Sequence, residues 1–411
     1  MVSRLARILR AQRQTCDIKV SIGKKTTAIE RKGHLSMSFN NLDNLVKMSH
    51  RYGADEEFVL AGGGNTSCKE NGVLYVKSSG VALSEIQPEQ FVAMDIKALH
   101  EMIVRKYPAN MSESEIDAVV LSDMMSAKLP GEEAKRPSVE AVLHAMFPYK
   151  LVLHVHPALI NGMTCGADGK AICRELFGEK AVWVDLTKPG LVLAQTCNKI
   201  FNAYTEKTGS YPSIVFLQNH GIFVAADTVE EIDRLMGYAV SRLKSHVSEV
   251  PDFTASASTY DTDSLQAMTE ALKSSYSDKS TVSAIFTANK QVSKFVADKD
   301  AFLPLSKPFS PDHIVYCKDE PLFIEPDADI SAAFSAYAAR KGYKPNIVAV
   351  RGIGFFALGE TQKTATQARA LFLDAIKVAT YAKSFGGANP LPDEFTHFIV
   401  NWEVEAYRIK V

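Results

Sequence analysis

Leu151-Val152-Leu153-His154-Val155-His156-Pro157 is an apolar run that closes on two histidines one residue apart, with a proline behind them. Side chains at i and i+2 of a strand leave the same face, so the run predicts a strand that holds His154 and His156 side by side. Two imidazoles on one face of a rigid strand end are two ready ligands for a zinc-like ion. The competing reading is a strand with two partly exposed histidines and no ligand role. The rest of the chain decides between them.

Composition narrows the setting. A chain of 411 residues has room for about two to three domains and an ample core. Hydrophobic content of 46% and charged content of 23% are ordinary for a globular protein. A formal net charge of −1 points to neither nucleic acid nor an anionic membrane as partner. Cys16, Cys68, Cys165, Cys173, Cys197 and Cys317 are scattered without a C-x-x-C, which reads as reduced thiols in a cytoplasmic protein. No apolar run approaches the ~18 residues of a membrane span.

Residues 1–36 stand apart. Arg4, Arg7, Arg10, Arg13, Lys19, Lys24, Lys25, Arg31 and Lys32 face only Asp17 and Glu30, which suggests a disordered basic extension. A helix is expected over Leu42–Tyr52. Phe58-Val59-Leu60-Ala61 reads as a strand running into the loop Gly62-Gly63-Gly64-Asn65-Thr66-Ser67, and Val73-Leu74-Tyr75-Val76-Lys77 as a strand running into Ser78-Ser79-Gly80. Glycines let backbone N–H groups converge on an anion, and Asn, Thr and Ser add donors, so the two loops could form one phosphate cup. Residues 85–130 read as two helices joined by an acidic linker, Glu113 to Asp117. In Arg136-Pro137-Ser138-Val139-Glu140, Ser138 can cap a helix with Glu140 in its first turn; His144, one turn on, reads as packing or support.

Beyond the two histidines, Trp183-Val184-Asp185 reads as a short strand and Asn198 to Lys207 as a helix. Ser213–Leu217 and Ile222–Ala225 read as strands joined through Gln218-Asn219-His220-Gly221, which sets His220 at a hairpin turn where a third ligand could stand. Thr228 with Glu231 predicts a capped helix. Residues 248–263 are polar and read as a linker, dividing a domain over 37–250 from a segment over 264–411. That segment repeats the hairpin: Pro212 to Phe223 aligns with Pro345 to Phe356, and Asp227-Thr228 with Glu360-Thr361. Ile353 stands where His220 stands. A related half-fold that has lost its metal is the simplest account.

Gly64-Asn65-Thr66-Ser67, Ser78-Ser79-Gly80, Pro137-Ser138-Val139-Glu140, His154-Val155-His156-Pro157 and Asn219-His220-Gly221, in that order, resemble the class II aldolase/adducin family over about residues 40–245. The segment Arg136 to Met146 and the run Gly352 to Ala365 look similar to the aldolase portion of two-part rhamnulose-1-phosphate aldolase/alcohol dehydrogenase proteins. No G-x-G-x-x-G follows a strand, so no dehydrogenase portion is expected within these residues.

The resemblance implies an α/β fold, a mixed sheet flanked by helices, followed here by a degenerate second copy of the C-terminal half-fold. It implies His154, His156 and His220 as zinc ligands, Glu140 as the acid/base, and Gly64, Asn65, Ser79, Gly80 and Ser138 as substrate-binding residues. Val139 replaces a family hydroxyl, so one phosphate donor is gone. A tyrosine acid borrowed from a neighbouring subunit has three candidates, Tyr204, Tyr211 and Tyr260; Arg136 could tune Glu140 or meet the phosphate. The implied activity is cleavage of a ketose 1-phosphate, such as L-rhamnulose 1-phosphate, to dihydroxyacetone phosphate and L-lactaldehyde through a metal-stabilised enediolate, in a homotetramer. Epimerases, dehydratases and decarboxylases share the fold, as do non-catalytic adducin-like interaction proteins.

Overall fold

The computed structural model describes residues 39–108, 110–256 and 261–401. The basic stretch 1–36 and Tyr260 lie outside them. Among the described residues, eleven strands form two sheets: β1 Asn65–Glu70, β2 Val73–Lys77, β3 Phe91–Asp95, β4 Leu151–Val155, β5 Val182–Val184, β6 Ile214–Leu217 and β7 Gly221–Ala226, then β8 Ser283–Thr287, β9 Leu322–Ile324, β10 Ile347–Val350 and β11 Gly354–Gly359. The first seven make one sheet in the order β3-β2-β1-β4-β7-β6-β5, which places β4 at its centre.

Every residue of β4 is buried, because both faces of the sheet are covered. Leu151, Leu153 and Val155 enter one apolar layer with Ile222 and Val224 of β7 and with Leu45, Ile160 and Met236 from the helices Phe39–Gly53, Ala158–Thr164 and Val229–Lys244. Val152 enters the opposite layer with Phe223, Leu99, Leu143 and Phe201. The strict alternation fixes which face the histidines take, since a slip of one residue would bury the wrong set.

The second sheet runs β8-β11-β10-β9. It matches the β4-β7-β6-β5 end of the first sheet strand for strand. The outer pair is antiparallel (β4 with β7, β8 with β11), the hairpin is antiparallel (β6 with β7, β10 with β11), and the last pair is parallel (β5 with β6, β9 with β10). The turns match as well: Asn219 and Gly352 both take a left-handed backbone, with φ of 54° and 68°. Thr228 and Thr361 each cap the helix that follows. Phe286 pairs with Phe356 as His154 pairs with Phe223, so the positions of His154 and His220 are filled by Phe286 and Ile353. The repeat is therefore a structural one, with apolar side chains where the first copy carries imidazoles. Helix Gln362–Ala382 joins the two sheets. Leu371, Ile376 and Ala379 pack with Ala158 and Cys165 of the first half.

Several local expectations need correction. Phe58–Ala61 is a turn, with Ala61 at φ 50°, and not a strand. Asn65, Thr66 and Ser67 are strand, not loop, because they pair with His154, Leu153 and Val152. Their polar side chains are tolerated there because they have partners: Thr66 bonds Ser49 and Ser67 bonds His144, each across 2.7 Å. Between residues 85 and 130 there is a strand, β3, as well as helices. Glu113–Asp117 opens the helix Glu113–Ser126 behind a Ser112/Glu115 capping box, and so is not a linker. No described helix is long and apolar enough to cross a membrane. Cys68, Cys165, Cys173, Cys197 and Cys317 are buried free thiols.

Candidate metal centre

His154 is the last residue but one of β4, beside β7, and its Nδ1 donates to the carbonyl of Ile222, 2.9 Å away. That bond leaves the lone pair on Nε2, which faces the cleft. Phe223 stacks on the ring at 4.1 Å between centroids and closes its outer side. His156 lies one residue past the strand, and its Nδ1 donates to Oδ2 of Asp312 at 2.6 Å. Its Nε2 stands 2.9 Å from Nε2 of His154. His220 arrives on the β6–β7 turn. Gly221 lets this turn close on β4, because a Cβ there would sit 2.5 Å from the Val155 carbonyl and 2.7 Å from the His156 ring. Ligand atoms of all three histidines lie within 4.8 Å of one another.

Glu140 faces the same point. Its Oε1 lies 3.3 Å from Nε2 of His154 and 3.4 Å from Nε2 of His220, and this buried oxygen accepts no hydrogen bond. Its Oε2 accepts from Nδ2 of Asn65 at 2.6 Å. Asn65 is aimed by His144, whose Nε2 meets the Asn65 carbonyl oxygen while its Nδ1 meets Ser67 Oγ. Helix Ala141–Met146 begins after Glu140, so Glu140 is the residue at the cap and not, as expected, inside the first turn. Ser138 accepts from the Glu140 backbone N–H at 3.3 Å.

The electrostatics follow. Burial drives His154 far below the ordinary imidazole range, so the ring is neutral. Burial pushes the Glu140 carboxyl up, and any positive charge at His154, His220 and His156, together with the Asn65 amide, pulls it down. Imidazole lone pairs that face each other beside a carboxylate oxygen with no donor repel one another unless a cation lies between them. The donor set fits a borderline divalent ion such as zinc, which takes imidazole nitrogen readily.

The cleft beside this centre is lined by the other expected residues, Gly64, Asn65, Ser79, Gly80 and Ser138, with Val139 among them. Backbone bonds stitch its two loops together, from Ser79 N–H to the Arg136 carbonyl and from Ser138 N–H to the Lys77 carbonyl. Two residues of the cleft were not singled out in the sequence. Lys77, 4% exposed, reaches the Gly62 carbonyl at 3.3 Å; a lysine directly before Ser78-Ser79-Gly80 was the available signal. Asp312 comes from the second half and left no local signal. Tyr204 donates to the Glu179 carbonyl, Tyr211 packs on Phe147 and Phe201, and neither lines the cleft.

The family model described as the Class II Aldolase and Adducin N-terminal domain matches residues 43–244. A Bacillus subtilis (strain 168) protein named "Uncharacterized oxidoreductase YuxG" is 24% identical over 412 residues, covering 90% of this chain; the chain spans only 58% of that relative. Among solved structures, the N-terminal class II aldolase domain of a conserved protein from Thermoplasma acidophilum is 27% identical, covering 53% of this chain and 99% of its own, with a TM-score of 0.42. The l-fuculose-1-phosphate aldolase of Thermus thermophilus is 13% identical, covering 50% of this chain and 92% of its own, with a TM-score of 0.33. Residues 43–244, matched by the Class II Aldolase and Adducin N-terminal domain model, contain the whole seven-stranded sheet and every lining residue of the cleft except Pro311 and Asp312.

Proposed function

We propose that the chain is a zinc-dependent aldolase that cleaves a ketose 1-phosphate, namely L-rhamnulose 1-phosphate, to dihydroxyacetone phosphate and L-lactaldehyde. The observation that carries this reading is the convergence of His154, His156 and His220 on a buried oxygen of Glu140 that accepts no hydrogen bond. A scaffold protein has no use for that costly arrangement. His154, His156 and His220 are the residues that would hold the ion. A bound Zn2+ would act as a Lewis acid toward the oxygens of the substrate.

The chain's own groups account for the rest. Gly64, Ser79, Gly80 and Ser138 offer N–H and hydroxyl donors to the phosphate, and the Lys77 ammonium places a cation in the same cleft. As the base, Glu140 takes a proton from the carbon beside the carbonyl of dihydroxyacetone phosphate in the condensation direction. In cleavage the Glu140 carboxylate takes the proton of the hydroxyl beyond the breaking carbon–carbon bond, and that oxygen's electrons form the aldehyde C=O. The broken bond's pair passes to the carbonyl oxygen, and as the pair returns Glu140 delivers the proton to the carbon left behind. Asn65 keeps Glu140 in place through both directions. The relation to the two-part rhamnulose proteins, and assembly as a homo-oligomer, belong to the same reading.

A panel of ketose 1-phosphates tests it, with release of dihydroxyacetone phosphate as the readout. L-Rhamnulose 1-phosphate should give lactaldehyde in a reaction lost on chelation. Conversion to an isomer of unchanged mass would make the chain an epimerase instead.

A further inference from the structure

We propose that Asp312 is a positioning residue of the metal centre, so that the second half of the chain builds part of the site occupied by His154, His156 and His220. The inference rests on the reading of those histidines as ligands and extends it to a residue outside the matched residues 43–244.

The two strand histidines are oriented in different ways. His154 lies within the β4–β7 ladder, where the Ile222 carbonyl takes its Nδ1 proton. His156 lies beyond the last paired residue of β4, Val155. The acceptor for its Nδ1 is the Asp312 carboxylate at 2.6 Å, and Asp312 is only 5% exposed. A carboxylate behind an imidazole fixes the tautomer, sets the ring plane and makes the far nitrogen a better donor to a metal. The place for that carboxylate is reserved: a Cβ on Gly63 would lie 2.9 Å from Asp312 Oδ2.

The segment that carries Asp312 is held on several sides. Ser310 Oγ meets His313 Nδ1 at 3.2 Å, and His313 Nε2 meets Asp374 of the long helix at 3.1 Å, with all three residues buried. The Phe309 carbonyl accepts from Asn219 Nδ2 at 3.1 Å, and the Asn389 carbonyl accepts from the same amide at 2.8 Å. Asn219 is the residue before His220. The Tyr316 hydroxyl accepts from Gly62 N–H at 3.2 Å. One short stretch of the second half thus braces His156, the turn of His220 and the loop before Asn65. The buried Ser310–His313–Asp374 chain is spent on fixing the helix Pro311–Cys317.

The test uses the full chain with Asp312→Asn and Asp312→Ala. Zinc affinity is measured by chelator competition, and the visible spectrum is recorded with Co2+ in place of Zn2+. Asp312→Asn keeps shape and one acceptor but loses the charge, and should weaken zinc about tenfold; Asp312→Ala should weaken it about 10–100-fold. Both should shift the Co2+ bands, while the metal-free proteins keep the wild-type unfolding midpoint to within a few degrees. Wild-type affinity and an unchanged Co2+ spectrum in either folded variant would overturn the proposal. A wild-type chain that binds neither ion would instead overturn the ligand reading beneath it, and this proposal with it.

Discussion

Asn65 gives its side-chain amide to Glu140, Nδ2 to Oε2 at 2.6 Å, across the gap between β1 and the start of helix Ala141–Met146. The bond leaves the other carboxylate oxygen turned toward the histidines. Glu140→Gln should keep stoichiometric zinc and lower kcat by about 10²–10⁴-fold, the usual weight of a general acid/base. Asn65→Ala should act in the same direction by roughly tenfold or more, through kcat. Near-wild-type turnover of Glu140→Gln would remove the carboxylate from the chemistry.

The two hairpins make opposite predictions about metal. His154→Ala or His220→Ala should abolish zinc binding by the whole chain, because Phe286 and Ile353 hold the equivalent places in the second sheet and neither side chain can ligate. Elemental analysis of the purified variants checks this. A full equivalent of zinc in His154→Ala would show that the ion sits elsewhere.

Val139 lines the cleft between Ser138 and Glu140. Val139→Thr has nearly the same shape and adds a hydroxyl. If a phosphate lies there, one added donor to a charged group should lower KM about tenfold, with kcat little changed. An unchanged or raised KM for every ketose 1-phosphate would move the phosphate away from this loop.

Acid sensitivity should trace in part to His144, fully buried between Ser67 and Asn65. Burial holds its pKa down at about 3 from the ordinary 6.5, so the unfolded chain takes a proton that the folded chain refuses. Its contribution is complete above pH 6.5 and is lost as pH falls toward 3, by about 1.4 kcal/mol per unit. Urea unfolding of chelated protein at pH 6.5 and pH 5 should show wild type losing about 2 kcal/mol more than His144→Gln. Equal losses would refute the assignment.

Much of this site was legible because its chemistry is local. His154-Val155-His156 needs only the two-residue period of a strand, and Asn219-His220-Gly221 needs only a turn that accepts a left-handed residue. The hairpin repeat was legible for the same reason, since strand, turn and cap recur in register. Asp312 was not legible: the bond to His156 spans 156 positions, and nothing around Pro311 marks it as polar for a purpose. Phe58–Ala61 misled because an apolar run can pack as a turn when its neighbour Tyr52 offers an aromatic edge, here at 5.1 Å. Asn65-Thr66-Ser67 misled because polar residues enter a buried strand when other side chains satisfy them.

The most direct trial of the account is a zinc titration of chelated protein that follows dihydroxyacetone phosphate release from L-rhamnulose 1-phosphate. We expect activity to climb linearly and break at one equivalent of zinc per chain. Cleavage that proceeds undiminished in the chelated protein, or a zinc-saturated protein that releases no product from any ketose 1-phosphate, would contradict it.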